Sequence, residues 1–234
     1  MTGSDKEILR LREEYARRAA EGSGDERYSL SNPSYRWILA DRRRAIVDIL
    51  KRQKITDLSK MRILEVGCGA GGVIDELIEL GADPASSFGV DLLQDRLREA
   101  NKRLPACYWI SADGQSLPFE PDSFDIVLQF TAFSSILGRS TQETMAAEIL
   151  RVLKPGQGVL WYDFIWNPLN RQTRGIPLAQ IKQLFPGTQI TSRRITLAPP
   201  LCRFLIPRFS WLPNALTRFA FLNSHLLAWI QKPG

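Results

Sequence analysis

The order of hydrophobic and polar positions changes its period repeatedly along the chain. Short apolar runs such as MRILEV, FDIVLQF and VLWYDF have the length and composition of strands that are buried on both faces. Between them lie segments with helical spacing, such as VIDELIEL, LQDRLREANKRL and TQETMAAEILRVL. This alternation predicts an α/β protein built from βα units, with a mainly parallel sheet and helices on both faces.

Two further helices are predicted before the first strand. One covers residues 4–20, and the other begins near Pro33 and ends near Lys54. We expect residues 1–58 to form an N-terminal helical cap and residues 59–234 to form the α/β domain. Residues 198–223 interrupt the alternation before the last predicted strand, because they combine prolines, aromatic residues and arginines. We call this segment the insertion.

Composition is that of an ordinary folded domain. The chain has 234 residues, of which 44% are hydrophobic and 24% charged. No apolar run approaches the roughly 20 residues of a membrane span, and the charged N-terminus has no signal-type core. The three cysteines have neither disulfide nor metal-site spacing, so we expect a cytoplasmic protein without a bound metal.

Charge is distributed unevenly. Residues 1–163 contain 22 Lys and Arg against 25 Asp and Glu, whereas residues 164–234 contain nine Lys and Arg and no acidic residue. We call residues 164–234 the C-terminal segment. Its charge indicates an anionic partner such as a phosphate group, a nucleic acid or a membrane surface. A solvated basic face without a partner remains the alternative.

The stretch ILEVGCGAGG places Gly67, Gly69 and Gly71 directly after a strand and before a helix. Glycines there allow a tight turn and a close approach of the backbone to a ligand. Asp91 ends the next strand, where a carboxylate can accept hydrogen bonds from ribose hydroxyls. Glu65 would repel a pyrophosphate but could face an ammonium group. The pattern therefore favours an adenosine-type ligand other than a dinucleotide.

ILEVGCGAGG, GVD, ADGQSLPFEPDSFDIVLQ and EILRVLKPGQGVLWYD resemble the successive motifs of class I S-adenosylmethionine-dependent methyltransferases over residues 61–163. The resemblance implies a Rossmann-like, doubly wound, seven-stranded sheet whose last strand is antiparallel, with S-adenosylmethionine as the cofactor. It implies that the glycine loop binds the methionine part, Asp91 the ribose and Asp113 the adenine amino group, although Asp113 could instead be a turn residue. The cofactor-binding residues expected in this part of the chain are Glu65, Gly67, Gly69, Gly71, Asp91, Leu92, Ala112, Asp113, Gly114 and Gln129.

The loops that follow the fourth and fifth strands should face the methyl acceptor. After the fourth strand, QFTAFSSI lacks the Asn/Asp-Pro-Pro-Tyr/Phe motif of many enzymes that methylate nucleic acid bases, so a nucleic acid partner is disfavoured. After the fifth strand, YDF…NPLNRQTRGIP resembles a bacterial subgroup found in polysaccharide, glycolipid and specialised-metabolite gene clusters. Asp163 ends that strand and is a candidate catalytic base or orienter of an acceptor hydroxyl, with a turn-capping role equally open.

The subgroup resemblance extends to RYSLSNP near the N-terminus and HLLAWIQKP at the end. It implies that the N-terminal segment closes over the cofactor and that Arg27 meets the cofactor carboxylate. The candidate residues on the acceptor side are Tyr28, Phe133, Asn167, Asn170, Arg171 and Arg174.

His225 and Cys68 belong to residue types that often act in catalysis, but for each of them a structural role is the simpler interpretation. His225 is the single histidine and stands in an apolar strand, where a structural role is more common. Cys68 lies inside the glycine loop, but direct methyl transfer needs no covalent enzyme intermediate, so we interpret it as a small packing residue. The insertion has four readings: an interfacial helix on an anionic membrane, a lid, a dimer surface, or a helical hairpin packed on the sheet.

The favoured function is transfer of a methyl group to a hydroxyl of a sugar, glycolipid or hydrophobic small metabolite. The partner would be that small molecule, with peripheral contact to an anionic membrane as a further expectation. An RNA or protein methyltransferase that holds an anionic substrate with its basic C-terminal segment is the alternative. A non-catalytic cofactor-binding or membrane-associated module is the third hypothesis. The oligomeric state is left open.

Overall fold

The computed structural model describes residues 3–20, 29–167, 170, 172–209 and 211–234. Its strands are β1 (Ile63–Val66), β2 (Ser87–Asp91), β3 (Tyr108–Ser111), β4 (Phe124–Phe130), β5 (Leu153–Phe164), β6 (Gln189–Leu197) and β7 (Asn223–Gln231). Its helices are α1 (Gly3–Ala20), α2 (Pro33–Arg52), α3 (Gly72–Ile78), α4 (Gln94–Arg103), α5 (Arg139–Val152), α6 (Leu178–Leu184), α7 (Pro199–Leu205) and α8 (Leu212–Leu216).

The strands form one sheet in the order β3-β2-β1-β4-β5-β7-β6. Strands β3, β2, β1, β4 and β5 are parallel, whereas β7 runs antiparallel to both β5 and β6. The prediction of a seven-stranded doubly wound sheet with an antiparallel last strand is therefore confirmed. The strand order reverses between β1 and β4, and in such sheets ligands bind at the carboxyl ends of the strands beside that reversal.

Both faces of the sheet are covered by helices. Because side chains alternate along a strand, Leu64 packs into a core with α5 and α6, and Ile63 packs into a core with α2 and α3. The second core includes Ile46 and Ile49 of α2. Helix α2 therefore shares a core with the strands that follow it. The predicted domain boundary at residue 58 stays a prediction.

Helix α2 begins where the sequence predicts. The side chain of Asn32 accepts a hydrogen bond from the backbone N–H of Ser34 at 2.9 Å, and Pro33 occupies the first helical position, where its missing N–H costs nothing. Cations Lys51 and Arg52 stand in the last turn, where they complement the helix dipole. Of the helices described, none has the length and hydropathy needed to cross a membrane.

The insertion folds as α7, α8 and a short 3₁₀ turn, Ala220–Leu222. Cys202 and Leu205 of α7 form a small buried cluster that packs against Trp37 and Ile38 of α2. The indole N–H of Trp37 also donates a hydrogen bond to the side chain of Asn214 at 3.2 Å. The insertion is thus a helical hairpin, and it packs on α2.

A close approach between β5 and β7 generates a stability prediction. A methyl group added at Gly158 would overlap the ring of Trp229, whereas one added at Gly72 would meet no atom within 4 Å. We expect Gly158→Ala to lower the free energy of unfolding by about 1–3 kcal/mol, because the packed core has to shift. Urea denaturation measures this. Gly72→Ala is the matched control, and equal midpoints for the two variants would contradict the packing.

Candidate functional site

A cleft of about 840 Å³ opens at the carboxyl ends of β1, β2 and β4. Its floor consists of the loops that follow these strands, and its opposite wall consists of α1 and α2. The position is the one expected for a ligand beside the reversal of strand order. Its volume is within the range of small-molecule sites.

The glycine loop needs its glycines for two reasons. Gly67, Gly69 and Gly71 all have positive φ angles, of 76°, 52° and 74°, which side chains disfavour. A methyl group on Gly67 would come within 2.7 Å of Ala132, and one on Gly71 within 2.5 Å of Trp109. The loop thus makes a tight turn with bare backbone, and Gly67 and Gly69 line the cleft.

Asp91, at the end of β2, connects the loops on either side of the cleft. One carboxylate oxygen accepts a hydrogen bond from the N–H of Gly69 at 2.8 Å, and the other from the N–H of Leu93 at 2.9 Å. Each oxygen keeps a second lone pair, and the side chain lines the cleft next to Leu92. The carboxylate can therefore accept hydrogen bonds from a pair of ligand hydroxyl groups.

The loop after β3 contributes Ala112, Asp113 and Gly114 to the same wall. Both carboxylate oxygens of Asp113 accept hydrogen bonds from Gln115, one from its backbone N–H at 2.9 Å and one from its side-chain amide at 3.0 Å. Asp113 thus stabilises a turn and also faces the cleft. Both roles that the sequence left open are compatible with this position.

Glu65, at the end of β1, is a buried carboxyl group beside the cleft. Its Oε2 atom has no hydrogen-bond partner among the described residues. Burial raises the pKa of Glu65 to about 8, although the Arg42 guanidinium and the N–H of Ile74 act in the opposite direction. An unpaired buried carboxyl oxygen is costly. A cationic ligand group bound there would satisfy it.

Arg42 of α2 also lines the cleft, and sequence reasoning missed it. It forms an ion pair with Glu76 of α3 at 2.5 Å, and its guanidinium lies over the rings of Phe130 and Tyr162 at 5.5 and 5.6 Å from their centres. It stands first in a run of three arginines. Periodicity could have indicated which of them faces the sheet, but not that one would reach the cleft.

Helix α1 is held over the cleft by the contacts of Glu7 and Arg10 with later parts of the chain, and the two side chains also form an ion pair of 2.8 Å with each other. Glu7 accepts a hydrogen bond from the N–H of Leu137 at 2.6 Å, and Arg10 donates to the carbonyl of Ser135 and, at 3.1 Å, to the side chain of Gln172. Burial raises the pKa of Glu7, but the hydrogen bonds from Arg10 and Leu137 outweigh it and hold that pKa below its ordinary value. The sequence indicated a charged helix and gave no signal for these distant partners.

Asp163 lies beneath the cleft and is not among the residues that line it. Its Oδ2 atom accepts hydrogen bonds from the side-chain amide of Gln129 at 2.8 Å and from the N–H of Ser134 at 3.0 Å, and its Oδ1 atom accepts one from the N–H of Phe164. Burial raises the pKa of Asp163 to about 6, and these hydrogen bonds limit the rise. The geometry favours the loop-capping alternative over a catalytic base.

Gln129 is equally buried, and its side chain points at Asp163. Its carbonyl oxygen has no hydrogen-bond partner among the described residues. Next to it, Thr131 takes a left-handed φ of 59° and lines the cleft. Such a backbone conformation is strained in a β-branched residue and marks a loop that its surroundings hold firmly.

The expected acceptor residues after β5 lie outside the cleft. Asn167 donates a side-chain hydrogen bond to Thr173 at 2.9 Å, and the side chain of Asn170 accepts one from the N–H of Gln172 at 3.0 Å. Arg174 is exposed, and its N–H donates to the carbonyl of Ser134 at 2.8 Å. These contacts shape the loop and attach it to its neighbour.

Phe133 does not line the cleft either, because its ring is buried against Trp161 with 4.8 Å between ring centres. Arg27, Tyr28 and Arg171 fall outside the described residues. The cofactor contact of Arg27 and the acceptor contacts of Tyr28 and Arg171 stay predictions, and the cleft geometry does not favour an acceptor contact for Phe133.

His225 and Cys68 occupy structural positions. The Nδ1 atom of His225 shares a hydrogen bond with the hydroxyl of Ser224 at 2.9 Å, and its ring stacks on Tyr162 at 4.6 Å between centres. Burial lowers the pKa of His225 to about 3, so the imidazole is neutral near pH 7. Burial raises the pKa of Cys68, which keeps its thiol protonated.

The basic C-terminal segment, which the alternative function would use to hold an anionic substrate, does not line the cleft in the part that the structure describes. Of the residues from 146 onward that the structure describes, none lines it. The wall that faces the strand ends comes from the N-terminal helices, and its apolar members are Ile8, Leu11, Leu39 and Ala40. The basic charge of the C-terminal segment must therefore be explained elsewhere.

A sequence-family model described as a methyltransferase domain matches residues 63–156. The phthiotriol/phenolphthiotriol dimycocerosates methyltransferase 1 of Mycobacterium ulcerans is 36% identical over 141 residues, which are 54% of this chain and 48% of that protein. The sterol 4-C-methyltransferase of Caenorhabditis elegans is 29% identical over 119 residues, which are 48% of this chain and 34% of that protein. The chain thus spans half or less of these two curated relatives.

Solved structures share the fold at low sequence identity. A S-adenosylmethionine-dependent methyltransferase of Methanosarcina mazei superposes with a TM-score of 0.60 at 16% identity, covering 79% of this chain and 97% of that one. The [4+2]-cyclase SpnF superposes with a TM-score of 0.61 at 18% identity, covering 83% and 82% of the two chains. The second likeness shows that this fold alone does not determine the reaction.

The burial of Asp163 generates a pH prediction. Its folded pKa of about 6 lies above its ordinary value of 3.8, so its protonated form is favoured by folding. Its contribution to stability is therefore present below pH 4 and is lost as the pH rises through 6. We expect the advantage of wild type over Asp163→Asn to shrink by about 2–3 kcal/mol between pH 4 and pH 7.

Urea denaturation at several pH values measures that difference. Asp95→Asn is the control, because it makes the same substitution at a side chain that is 90% exposed. A pH-independent difference between wild type and Asp163→Asn would contradict the buried titration.

Proposed function

We propose that the chain is a class I S-adenosylmethionine-dependent methyltransferase and that it transfers a methyl group to a hydroxyl of a hydrophobic small molecule, such as a lipid or glycolipid. The observation that carries the proposal is the composition of the cleft. Its strand-loop side has the groups that S-adenosylmethionine needs, and its helical side presents the aliphatic side chains of Ile8, Leu11 and Leu39 between charged ones.

The residues of the cleft fit the cofactor on structural grounds. The bare glycine loop admits a close ligand, Asp91 has free lone pairs for two ribose hydroxyls, and the unpaired Glu65 oxygen suits an ammonium group. Asp113 stands where it could accept a hydrogen bond from an adenine amino group. When bound, S-adenosylmethionine supplies an electrophilic methyl group on a sulfonium centre.

The acceptor side is inferred from α1 and α2. Ile8, Leu11 and Leu39 present aliphatic surface to the cleft, opposite the strained loop that contains Thr131. Apolar walls with few polar groups are typical of sites for hydrophobic ligands. The relatives named for phthiotriol and sterol methylation support the same class of acceptor, although the nematode relative is named for methylation at carbon.

The chain itself contributes positioning and exclusion of water. Hydrogen bonds of Glu7 and Arg10 with the loop after β4 hold α1 beside the cleft, so the helix would partly cover the reacting groups. Orientation of donor and acceptor can supply about 7–11 kcal/mol of the barrier reduction in such reactions. The carboxylate of Asp163 acts on the cleft indirectly, because it fixes the loop that carries the lining residues Thr131 and Ala132. It is a positioning residue in this proposal.

A nucleic acid acceptor is disfavoured by where the basic residues lie. The cleft itself carries both signs of charge, with Arg12, Arg36 and Arg96 beside Asp75, Glu79 and Asp91. Two cations of the C-terminal segment form ion pairs with acidic residues in the range 1–163: Arg193 with Asp48, and Lys232 with Asp122. A clamp that leads an anionic polymer into the cleft is not formed by these groups.

The function is tested with methyl-labelled S-adenosylmethionine and three acceptor pools: a bacterial lipid extract, total RNA and total protein. We expect label in the lipid pool. Leu11→Asp should raise the KM for the lipid acceptor at least about tenfold, because it puts a charge on the apolar wall. Leu9→Asp is the matched control, since Leu9 lies on the same helix, is 47% exposed and does not line the cleft.

Label in RNA or protein instead would establish the alternative acceptor class. Label in the lipid pool that maps to a methyl group on carbon, rather than on an ether oxygen, would contradict the hydroxyl assignment alone. Equal effects of the Leu11 and Leu9 substitutions would contradict the apolar wall as the acceptor site.

The cofactor site is tested separately by calorimetry. We expect Asp91→Asn to raise the dissociation constant for S-adenosylmethionine by about tenfold or more, since a lost charged hydrogen bond costs about 1.5–3 kcal/mol. Asp95→Asn, on the exposed side of α4, should bind as wild type does. Thermal unfolding of both variants checks that the glycine loop is intact. An unchanged affinity in Asp91→Asn would remove Asp91 from the ribose site.

A further inference from the structure

The outer surface of the insertion is aromatic and apolar. We call it the insertion face, and define it by six residues with 36–76% of their surface exposed: Leu201, Phe204, Phe209, Trp211, Phe219 and Phe221. Scattered exposed apolar residues are ordinary, but a concentration of large ones within one short segment marks an interaction surface. Four other large hydrophobic side chains are this exposed in the rest of the described chain, so the concentration is specific to the insertion.

The exposure belongs to a folded hairpin. On α7, Cys202 and Leu205 are buried against α2, while Leu201 and Phe204 point to the opposite side. The hairpin is further fixed to α2 by the hydrogen bond from the Ser34 hydroxyl to the carbonyl of Cys202 at 3.3 Å. The buried side of the hairpin packs on α2, and the insertion face remains exposed.

The charge of the same segment is entirely positive. Arg203, Arg208 and Arg218 are exposed, and the whole C-terminal segment has no acidic residue. Arg208 lies over the ring of Phe204 at 4.7 Å from its centre and donates to the carbonyl of Phe204 at 2.9 Å. A guanidinium is thereby fixed at the edge of the aromatic surface.

We propose that the insertion face docks on the surface of an anionic lipid bilayer. Aromatic side chains favour the boundary between headgroups and acyl chains, and arginines beside them can meet lipid phosphates while their stems lie on apolar surface. A second copy of the chain is a poorer occupant, because two such faces would bring three arginines of each copy together with no acid of the insertion between them.

Helix α2 lies between the insertion and the cleft and contacts both. Tyr35 and Leu39 of this helix line the cleft, whereas Trp37 and Ile38 support the insertion. Docking would therefore place the cleft next to the bilayer, where a membrane-dissolved acceptor is available. That last consequence rests on the proposed function, whereas the docking itself does not.

The test is sedimentation of the full chain with sucrose-loaded vesicles of phosphatidylcholine alone or with 30 mol% phosphatidylglycerol. We expect binding to the anionic vesicles and at least about tenfold weaker binding to neutral ones. The triple variant Arg203→Glu, Arg208→Glu, Arg218→Glu should lose about tenfold or more of the anionic affinity. So should the double variant Trp211→Ala, Phe221→Ala, because it removes exposed rings without disturbing buried residues.

The matched control reverses three exposed lysines outside the insertion, Lys51→Glu, Lys60→Glu and Lys102→Glu, with the same change in net charge. It should keep most of the anionic affinity, and an equal loss in both triple variants would overturn the proposal. So would absent vesicle binding, or a dimer in sedimentation velocity that the Trp211 and Phe221 substitutions abolish. S-adenosylmethionine affinity of each variant is measured in parallel, and failure of methyl transfer with intact vesicle binding would count only against the proposed function.

Discussion

The buried carboxylate of Asp163 is the contact on which the loop after β4, and the elements attached to it, depend. It accepts the N–H of Ser134 and the amide of Gln129, and so fixes the loop after β4 at the carboxyl end of the sheet. Other parts are attached to that loop: α1 through Glu7 and Arg10, and the loop after β5 through Arg174. A carboxylate without solvent is tolerated there because three N–H groups satisfy it.

The cleft divides into two halves with different origins. The cofactor half is built from consecutive strand-to-helix connections, in which Gly67–Gly71 and Asp91 are separated by one βα unit. The half that we propose for the acceptor is built from α1 and α2, which come before the first strand. A parallel sheet brings its strand ends together at one edge whatever their sequence separation, so helices that pack across that edge can close the site. Change of acceptor could thus occur in the helices without altering the cofactor half.

The charge asymmetry of the chain takes a different meaning in the folded structure. In the sequence, Asp163 is the last acidic residue, and the basic segment that follows indicates an anionic partner. In the fold, that segment forms the far side of the sheet and the insertion, away from the cleft lining. Arg193 and Lys232 form ion pairs with acidic residues that precede the segment, Asp48 and Asp122. Three arginines of the insertion, Arg203, Arg208 and Arg218, stay exposed in the segment that carries the aromatic rings.

The sequence by itself determined the sheet, the order of its elements and the cofactor half of the cleft. Hydrophobic periodicity and the glycine loop are local signals in the sequence. The positive φ of Gly67 and the position of Asp91 at the end of β2 both depend on residues that are close in the chain. Tertiary structure alone decided that Asp163 is a buried anchor, that Arg42 enters the cleft and that α1 forms its wall. Each of these depends on which distant backbone N–H or ring lies within about 3–6 Å, and such distances are set by packing. No spacing along the chain encodes them.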